Sequence, residues 1–512
     1  MAPGTLNTYF GRSFAQQGAK SAITFLRSGV PETHLSYAAL DDESNRAANH
    51  FIDLGVRPAD PVMLFLPKSL AAVVCHLGLL KIGAISVPVN PGFRQGEMAY
   101  LIEQTRPRAM VAGKAQADIV RGIDAALPLW EIDTQVPYQA LDLDRLSAEP
   151  ILVGSPGPQD PAVILYTSGT TGKPKGAVLT NANLVHDAKN IISIWQISGK
   201  DVICHALPLF HTHGLSFALH TVLGSGGHVV MMDRFDAETT LGVLAGKEDA
   251  LRCSLFMAVP AMYVKLIETM GSRPATFDHL RLLASGSAPL LPKDFARICE
   301  TFGREPVERE GMTETGMNFS NPLSGKKKAG SIGQALPELQ VRIVDPSTGL
   351  DQGPGQAGEL WLRGPGITPG YWRNPQETEK AFTDGWFRTG DIGRMDDEGY
   401  CFLIDRLKDI IISGGENISP KEVETVINGL DAVQESAVVG VPDEKWGERV
   451  VAAVLLRREG KDAGAEIVAH CRSHLHPWKV PKEVRIVAQI PKNRMGKILR
   501  KEVQALFIDP DG

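Results

Sequence analysis

The stretch YTSGTTGKPKG, residues 166–176, carries the strongest fold signal in this sequence. It follows an apolar run at 162–165 that is typical of a short β-strand. Its glycines let backbone N–H groups turn toward an anion, its hydroxyls donate hydrogen bonds, and Lys173 and Lys175 add positive charge. Pro174 follows Lys173, which excludes a Walker A loop because that motif needs Ser or Thr after the lysine. We interpret the segment as a phosphate-binding loop; the alternative is a Gly- and Ser-rich surface linker.

Short apolar runs alternate with helical periodicity on both sides of this loop. Strands are predicted at 62–66, 85–89, 109–112, 202–207, 228–232 and 255–259. Helices are predicted at 70–82, 94–105 and 118–126. This β-α alternation predicts an α/β protein with layers of helices around a largely parallel sheet.

The pattern changes after about residue 330. Strands become frequent and helices scarce, which predicts a β-rich subdomain with antiparallel pairing. From 409 to the end, strands and helices form a compact α+β pattern. We therefore predict a large N-terminal domain at 1–404, a charged boundary segment at 405–408 and a small C-terminal domain at 409–512. Within the large domain, 1–330 forms the α/β layers and 331–404 the β-rich subdomain.

Composition restricts the partners and the compartment. The chain has 512 residues with 53 Lys and Arg against 59 Asp and Glu, a net charge of −6. This balance argues against nucleic acid or an anionic membrane as a partner. No apolar run reaches the roughly 18 residues that a bilayer crossing needs. The six cysteines form no C-x-x-C pair, which favours reduced thiols and a cytoplasmic protein. Mitochondria remain the alternative for a eukaryotic protein, because the first 31 residues contain no acidic side chain.

Five further motifs follow the loop along the chain: GMTE at 311–314, RTGD at 388–391, DRLKD at 405–409, GGENI at 414–418 and PKNRMGK at 491–497. Together with the loop, and in this order, they resemble the adenylate-forming acyl-CoA synthetases over nearly the whole chain. The resemblance implies that a carboxylic acid reacts with ATP to give an acyl-adenylate and pyrophosphate. The thiol of CoA then displaces AMP. ATP, Mg²⁺ and CoA are the implied cofactors, and a small carboxylic acid is the implied partner.

The resemblance also implies an ATP site. Phosphate contacts are assigned to Thr167, Ser168, Gly169, Thr170, Thr171, Gly172 and Lys175. Contacts to adenine and the α-phosphate are assigned to Gly286, Ser287, Ala288, Glu310, Gly311, Met312 and Thr313. Contacts to ribose are assigned to Asp391 and Arg406. The implied catalytic residues are Thr167, Lys175, Glu314, which would bind Mg²⁺, and Lys497, which would reach the α-phosphate and the carboxylate.

The last of these residues, Lys497, lies in the small domain. The resemblance implies that this small domain is mobile and that it brings Lys497 to the reaction by rotating about a hinge at 405–408, centred on Lys408. After the rotation, Gly414 and Gly415 would border the pantetheine of CoA, because the absence of a side chain permits close approach.

One position departs from the family pattern. An aromatic residue, most often Tyr, usually precedes the G-x-T-E motif and stacks on adenine, but this chain has Glu310. Loss of a base stack costs roughly 1–3 kcal/mol. We therefore predict weakened ATP binding with an intact fold.

The residues that the resemblance places near the acid are polar. A ligase for fatty or aryl acids needs an apolar pocket, whereas this chain offers His211, His213, Arg281, Ser287 and Asn318. The strings HTHG at 211–214, SGSAP at 285–289 and MNFSNP at 317–322 resemble malonyl-CoA synthetases. That resemblance implies that Arg281 binds the distal carboxylate of the acid, a task that suits the guanidinium fork.

The resulting hypothesis is a malonate–CoA ligase, with methylmalonate as a further substrate. The alternatives are a CoA ligase for another small or aryl acid, and an adenylation module that loads a carrier protein in trans. A third alternative, a non-catalytic nucleotide-binding relative, is suggested only by Glu310, and Lys497, Asp391 and Glu314 argue against it. At single positions, Arg281 could instead be a surface residue at a strand start. His211 could be a gating residue, and His213 a core histidine whose hydrogen bonds are satisfied.

Overall fold

A computed structural model of the protein describes residues 4–141, 143–151, 156–167, 173–246, 251–413, 416–443, 445–458, 462–492 and 498–508. The α-helices are α1 Leu6–Gln17, α2 Tyr37–Asp53, α3 Leu70–Lys81, α4 Gln95–Thr105, α5 Lys114–Arg121, α6 Asn181–Trp195, α7 Thr221–Ser225, α8 Ala237–Leu244, α9 Pro260–Met270, α10 Pro292–Phe302, α11 Pro375–Ala381, α12 Pro420–Asn428, α13 Ala463–His474 and α14 Arg500–Ala505. A π-helix spans His213–His220, and short 3₁₀ helices span Tyr138–Leu141, Leu143–Arg145 and Leu407–Asp409.

The strands are β1 Ser21–Arg27, β2 Val30–Ser36, β3 Pro61–Phe65, β4 Ile85–Pro88, β5 Ala109–Gly113, β6 Leu129–Ile132, β7 Pro161–Thr167, β8 Lys175–Thr180, β9 Val202–His205, β10 His228–Met232, β11 Leu255–Ala258, β12 Leu282–Ser285, β13 Val307–Met312, β14 Gly316–Ser320, β15 Gln334–Ala335, β16 Gln340–Val344, β17 Gly358–Arg363, β18 Phe382–Thr383, β19 Trp386–Met395, β20 Cys401–Arg406, β21 Ile411–Ser413, β22 Glu416–Ile418, β23 Val433–Asp443, β24 Gly447–Leu456 and β25 Glu483–Ile486.

The largest sheet has nine strands in the order β15-β14-β13-β12-β11-β9-β10-β1-β2. Every pairing from β13 through to β1 is parallel, and the pairings at both edges are antiparallel. Parallel strands are covered on both faces, which explains why they read as continuous apolar runs. All five residues of β10 are buried, for example. The predicted largely parallel sheet is confirmed.

A second sheet has the order β6-β5-β3-β4-β7-β8. Its pairings are parallel except for the last, where β7 and β8 form an antiparallel pair on either side of the predicted phosphate loop. One buried apolar cluster takes residues from both sheets and from helices α1, α2, α3 and α6. This cluster is the main core of the large unit.

Local sequence sets the helix starts. The side chains of Ser36, Ser69 and Thr180 accept backbone hydrogen bonds at the first turns of α2, α3 and α6. The prediction of a helix at 118–126 was wrong in its bounds. The observed helix α5 spans Lys114–Arg121 and begins directly after β5. It ends before Gly122, and a glycine costs about 1 kcal/mol inside a helix.

A buried carboxyl in α6 packs against a turn of the sheet. Asp187 is 5% exposed and accepts a 3.3 Å hydrogen bond from the backbone N–H of Met317. Neighbouring Gly316 has φ +72°, and a Cβ there would lie 2.2 Å from a carboxyl oxygen of Asp187. Burial raises the pKa of Asp187 to about 8, so this side chain is largely protonated near neutral pH.

The β-rich stretch forms a five-stranded sheet in the order β16-β17-β19-β18, with β20 also paired to β19. The β19–β20 and β18–β19 pairings are antiparallel, as predicted. The last sheet has the order β22-β21-β24-β23, with β25 paired in parallel to β24. Apolar residues of α12 and α13 bury themselves with this sheet in a separate core. Helix α12 has the residues predicted for it.

The chain divides into two compact units. The first contains Met1–Gln340 and Leu362–Phe387, and the second contains Val341–Trp361 and Arg388–Gly512. This mixed α/β architecture, with a large N-terminal and a smaller C-terminal part, is the predicted fold class. The predicted boundaries at 404 and 409 remain predictions. Within the described ranges, no helix has both the length and the apolar character that a membrane crossing requires.

Candidate functional site

A strand pair holds the two ends of the predicted phosphate loop. Thr167 ends β7 and lies opposite Lys175, the first residue of β8. The predicted loop residues Ser168, Gly169, Thr170, Thr171 and Gly172 lie outside the described residues. The hairpin therefore places one hydroxyl and one ammonium group side by side at the base of the loop.

Glu314 lies beside this hairpin. Its carboxylate is 7% exposed and accepts hydrogen bonds from Thr167 Oγ1 at 3.2 Å and from the Tyr371 hydroxyl at 3.1 Å. Lys175 Nζ lies 5.2 Å from the centre of the Tyr371 ring, in cation–π range. The structure thus brings Glu314 to the two predicted residues at the ends of the loop, although it lies 147 residues after Thr167 in sequence. Sequence reasoning missed Tyr371, and the string around it contains no signal for this contact.

Lys175 also forms an ion pair with Glu377, in the first turn of α11. Both side chains are largely covered, at 12% and 16% exposure. Lys380 contacts the same carboxylate at 2.7 Å. The hydrogen bond from Lys175, followed by that from Lys380, holds the pKa of Glu377 below its usual value. Glu377 therefore compensates the positive charge that was predicted to meet phosphate, and it was also missed from the sequence.

The fit of Mg²⁺ can be tested at Glu314. A carboxylate oxygen is the ligand type that Mg²⁺ prefers, and this cation usually takes one or two carboxylates plus substrate phosphates. Both hydroxyl donors contact the same oxygen, Oε1. No cluster of three or more His, Cys, Asp or Glu side chains suited to a metal occurs in the described ranges. The residues fit a cation that is held by Glu314 together with nucleotide phosphates.

The HTHG segment lies against two other predicted segments. Thr212 Oγ1 donates a 3.2 Å hydrogen bond to Thr313 Oγ1, and His213 Nδ1 lies 3.2 Å from Ser287 Oγ. The backbone N–H of His213 donates to His211 Nδ1 at 3.2 Å. Ser287 has φ +68°, a left-handed conformation that is uncommon outside glycine and typical of functional sites. The segments at 211–213, 286–288 and 311–313 therefore form one surface.

Burial and the nearby Arg309 lower the pKa of His213 well below its ordinary value. The imidazole is therefore neutral at pH 7. His213 begins the π-helix, a feature that often marks functional positions.

Arg309 lies beneath this surface, in the middle of β13. Its side chain is 3% exposed, and its guanidinium carbon lies 5.1 Å from the centre of the Phe217 ring. A Cβ on Gly286 would lie 2.6 Å from that carbon, so only glycine leaves room for the guanidinium. Burial lowers the pKa of Arg309 to about 10, which leaves it charged at neutral pH. Sequence reasoning missed it, although a charged residue in the strand leading into GMTE was an available signal.

Glu310 and Asn318 are partners on adjacent strands. Asn318 is fully buried, and its Nδ2 donates to Glu310 Oε2 at 3.1 Å and to Thr315 Oγ1 at 2.7 Å. The carboxylate of Glu310, which was predicted to lie at the adenine contact, is therefore held by an amide. Asn318, predicted to contact the acid, uses its amide nitrogen within the protein.

The structure does not bring Arg281 to this surface, and the prediction of a distal-carboxylate contact needs correction. Arg281 precedes β12, whereas Ser287 follows it, so the two lie at opposite ends of the strand. Its guanidinium donates twice to Asp201, at 2.7 Å each, and to the backbone oxygens of Trp195 and Gln196. Four hydrogen bonds commit it to a structural role.

In the second unit, Asp391 and Arg406 lie opposite each other on β19 and β20. They form an ion pair of 2.6 Å, and Asp391 is 7% exposed. Lys408 lies in the 3₁₀ helix that follows β20. The predicted CoA residues Gly414 and Gly415, and the predicted catalytic Lys497, lie outside the described residues.

Comparisons with known proteins cover both units. The model of the AMP-binding enzyme family matches residues 10–372, and that of the AMP-binding enzyme C-terminal domain matches residues 422–497. Oxalate–CoA ligase of Arabidopsis thaliana is 34% identical over 489 residues, 93% of this chain and 94% of that protein. Indoleacetate–CoA ligase of Aromatoleum aromaticum is 34% identical over 512 residues, 98% of each. The crystal structure of ATP-bound MatB from Rhodopseudomonas palustris superposes with a TM-score of 0.91 at 33% identity, covering 99% of both chains.

Proposed function

We propose, from the premise that this chain belongs to the AMP-binding enzyme family, that it joins malonate to CoA while converting ATP to AMP and pyrophosphate. The coarser activity follows from the family: the chain is an ATP-dependent acid–thiol ligase. The choice of malonate, with methylmalonate as a further substrate, is the proposal.

The observation that carries the proposal is the polar character of the surface formed by 211–213, 286–288 and 311–313. His213 and Ser287 share a hydrogen bond there, and the charged Arg309 is buried directly below. Such a surface suits an acid whose second end is polar, since buried polar groups need partners. Similarity to an oxalate–CoA ligase and to MatB supports a small dicarboxylic acid.

In the first step, two anions must approach each other, so positive charge and oriented donors must neutralise both. Thr167 and Lys175, with the loop between them, would hold the terminal phosphates, and Thr313 would contact the α-phosphate. Mg²⁺ held by Glu314 would neutralise phosphate oxygens. The carboxylate then attacks the α-phosphorus, and pyrophosphate leaves.

Asp391 would accept hydrogen bonds from the ribose hydroxyls, and its ion pair with Arg406 would hold the carboxylate in place. Lys497 would neutralise the α-phosphate and the acid in the first step. Rotation about Lys408 would then let CoA enter past Gly414 and Gly415, and its thiol would displace AMP.

We also propose a cytoplasmic location. All six cysteines lie in the described ranges and form no disulfide there, and five of them are buried. This usage fits a reducing compartment.

The second candidate is a ligase for an aryl or arylacetic acid, which the similarity to indoleacetate–CoA ligase supports at the same identity. AMP release should be measured across malonate, methylmalonate, oxalate, acetate, propionate, benzoate and indoleacetate, with and without CoA. A matched Glu314→Gln variant gives the background rate. Malonate should give the highest kcat/KM, in a CoA-dependent reaction. Turnover with benzoate or indoleacetate but none with malonate would refute the proposal. If the acyl-adenylate forms but CoA does not displace AMP from it, the result would favour a module that loads a carrier protein.

A further inference from the structure

Arg309 is a buried cation without a hydrogen-bonded counterion. Within the described part of the chain, none of its three guanidinium nitrogens has a hydrogen-bond partner. Its near neighbours are the Phe217 ring at 5.1 Å and the charge of the adjacent Glu310. A buried guanidinium is costly unless it is paired and hydrogen bonded, so an arginine in this state is suited to a ligand that supplies the missing acceptors.

The surroundings favour an anion over a second cation or an apolar group. His213 lies close enough to Arg309 for the arginine's charge to lower the histidine pKa, so the imidazole stays neutral beside it. His213 Nε2 is also buried and lacks a partner in the described ranges. Gly286 lets the guanidinium approach the backbone at the end of β12. The carboxyl ends of parallel strands are where open α/β sheets bind ligands.

We propose that the guanidinium of Arg309 binds the second anionic group of the acid, the carboxylate or sulfonate that is not adenylated. This inference rests on the proposed function for its substrate class, a small acid with two anionic ends. The planar fork of arginine offers two parallel N–H donors, which match both oxygens of a carboxylate. The role that the sequence suggested for Arg281 passes to Arg309, because the donors of Arg281 are committed to Asp201 and two backbone oxygens.

The test compares two acids of nearly the same shape, malonate and propionate, which differ in the second carboxylate. Arg309→Met keeps an unbranched apolar stem and removes the guanidinium with its charge. We expect kcat/KM for malonate to fall at least about 30-fold relative to propionate, mainly through KM, because loss of one member of a buried charge pair has effects of that order. Arg309→Lys should also reduce the malonate-to-propionate ratio, which is kcat/KM for malonate divided by kcat/KM for propionate. The reason is that an ammonium group cannot form the two-donor contact.

Arg281→Lys is the matched control. It changes another arginine of the same sheet whose partner is Asp201, so we expect a lower melting temperature with an unchanged malonate-to-propionate ratio. Equal losses for both acids in the Arg309 variants would overturn the inference, because an arginine that only supports the fold or the reacting carboxylate affects both acids alike. If Arg309→Met does not fold, the ratio in Arg309→Lys decides, and an unchanged ratio overturns the inference.

The wild-type panel separates this inference from the proposed function. Preference for another dianionic acid, such as oxalate or sulfoacetate, with loss of that preference in Arg309→Met, would refute malonate as the substrate and support the role of Arg309. Preference for malonate that survives in Arg309→Met would support the proposed function and overturn the inference. Turnover of monoanionic acids only would overturn both.

Discussion

Replacing Glu377 by Gln should strengthen ATP binding. The ion pair with Glu377 neutralises Lys175, the residue proposed to meet the terminal phosphates. Its side chains are 12% and 16% exposed, so the pair lies between a solvent-exposed one and a buried one. A value of about 1 kcal/mol is reasonable for such a pair. Removing this competition corresponds to an about fivefold lower Kd for ATP.

Titration calorimetry with ATP, or KM for ATP in the AMP-release assay, measures this change. Glu379→Gln is the matched control, because Glu379 lies exposed on the same helix and should leave the Kd unchanged. Lys175→Ala should weaken ATP binding, and adding Glu377→Gln to it should then have no further effect. An unchanged Kd in Glu377→Gln, with a weakened Kd in Lys175→Ala, would refute the idea that the ion pair competes with phosphate.

Four further substitutions test the proposed nucleotide site and the core. Glu310→Tyr should lower KM for ATP by roughly 5- to 100-fold through a restored base stack, without a large change in melting temperature; an unchanged KM would contradict this. Glu314→Gln should lower kcat at least about 100-fold, and Tyr371→Phe should lower kcat/KM about tenfold by removing one donor to that carboxylate; full activity in Tyr371→Phe would show that the hydroxyl is dispensable. Asp187 binds a proton in the native state up to about pH 8 but only up to about 3.8 when unfolded, so the free energy of unfolding should decrease as pH rises through this window. Asp187→Asn should therefore raise the melting temperature more at pH 8 than at pH 5, and equal shifts would contradict the buried, protonated state.

Much of the fold could be predicted from local pattern. Strand β10 and helix α12 occur with the predicted bounds, because continuous apolar runs and a Ser-Pro helix start are local signals. The position of α5 could not be predicted in the same way. Its start depends on where β5 ends in the sheet, which is a property of the strand's neighbours rather than of the helix sequence.

The site divides similarly. The motifs identified Thr167, Lys175 and Glu314, and the structure brings them together. The motifs did not identify Tyr371 or Glu377, which are about 200 residues from Lys175 in sequence. A contact across that distance exists only after the strands have paired, so no spacing rule predicts it.

The two arginines show the difference between sequence and tertiary structure most clearly. By itself, the sequence determined the family and the order of the motifs, and it predicted a polar acid site. Only the tertiary structure decided which guanidinium group has hydrogen-bond donors available for a ligand. Arg281 directly precedes β12 and Arg309 lies within β13, the neighbouring parallel strand, and both residues precede glycine-containing motifs. Arg281 meets Asp201 at one end of the sheet and uses its donors there, whereas Arg309 lies beneath Gly286 with its donors unused in the described ranges. The physical reason is that residues distant in sequence can accept the hydrogen bonds of a guanidinium group, as Asp201 does for Arg281. Which residues become neighbours depends on the order of the strands in the sheet rather than on their order in the sequence.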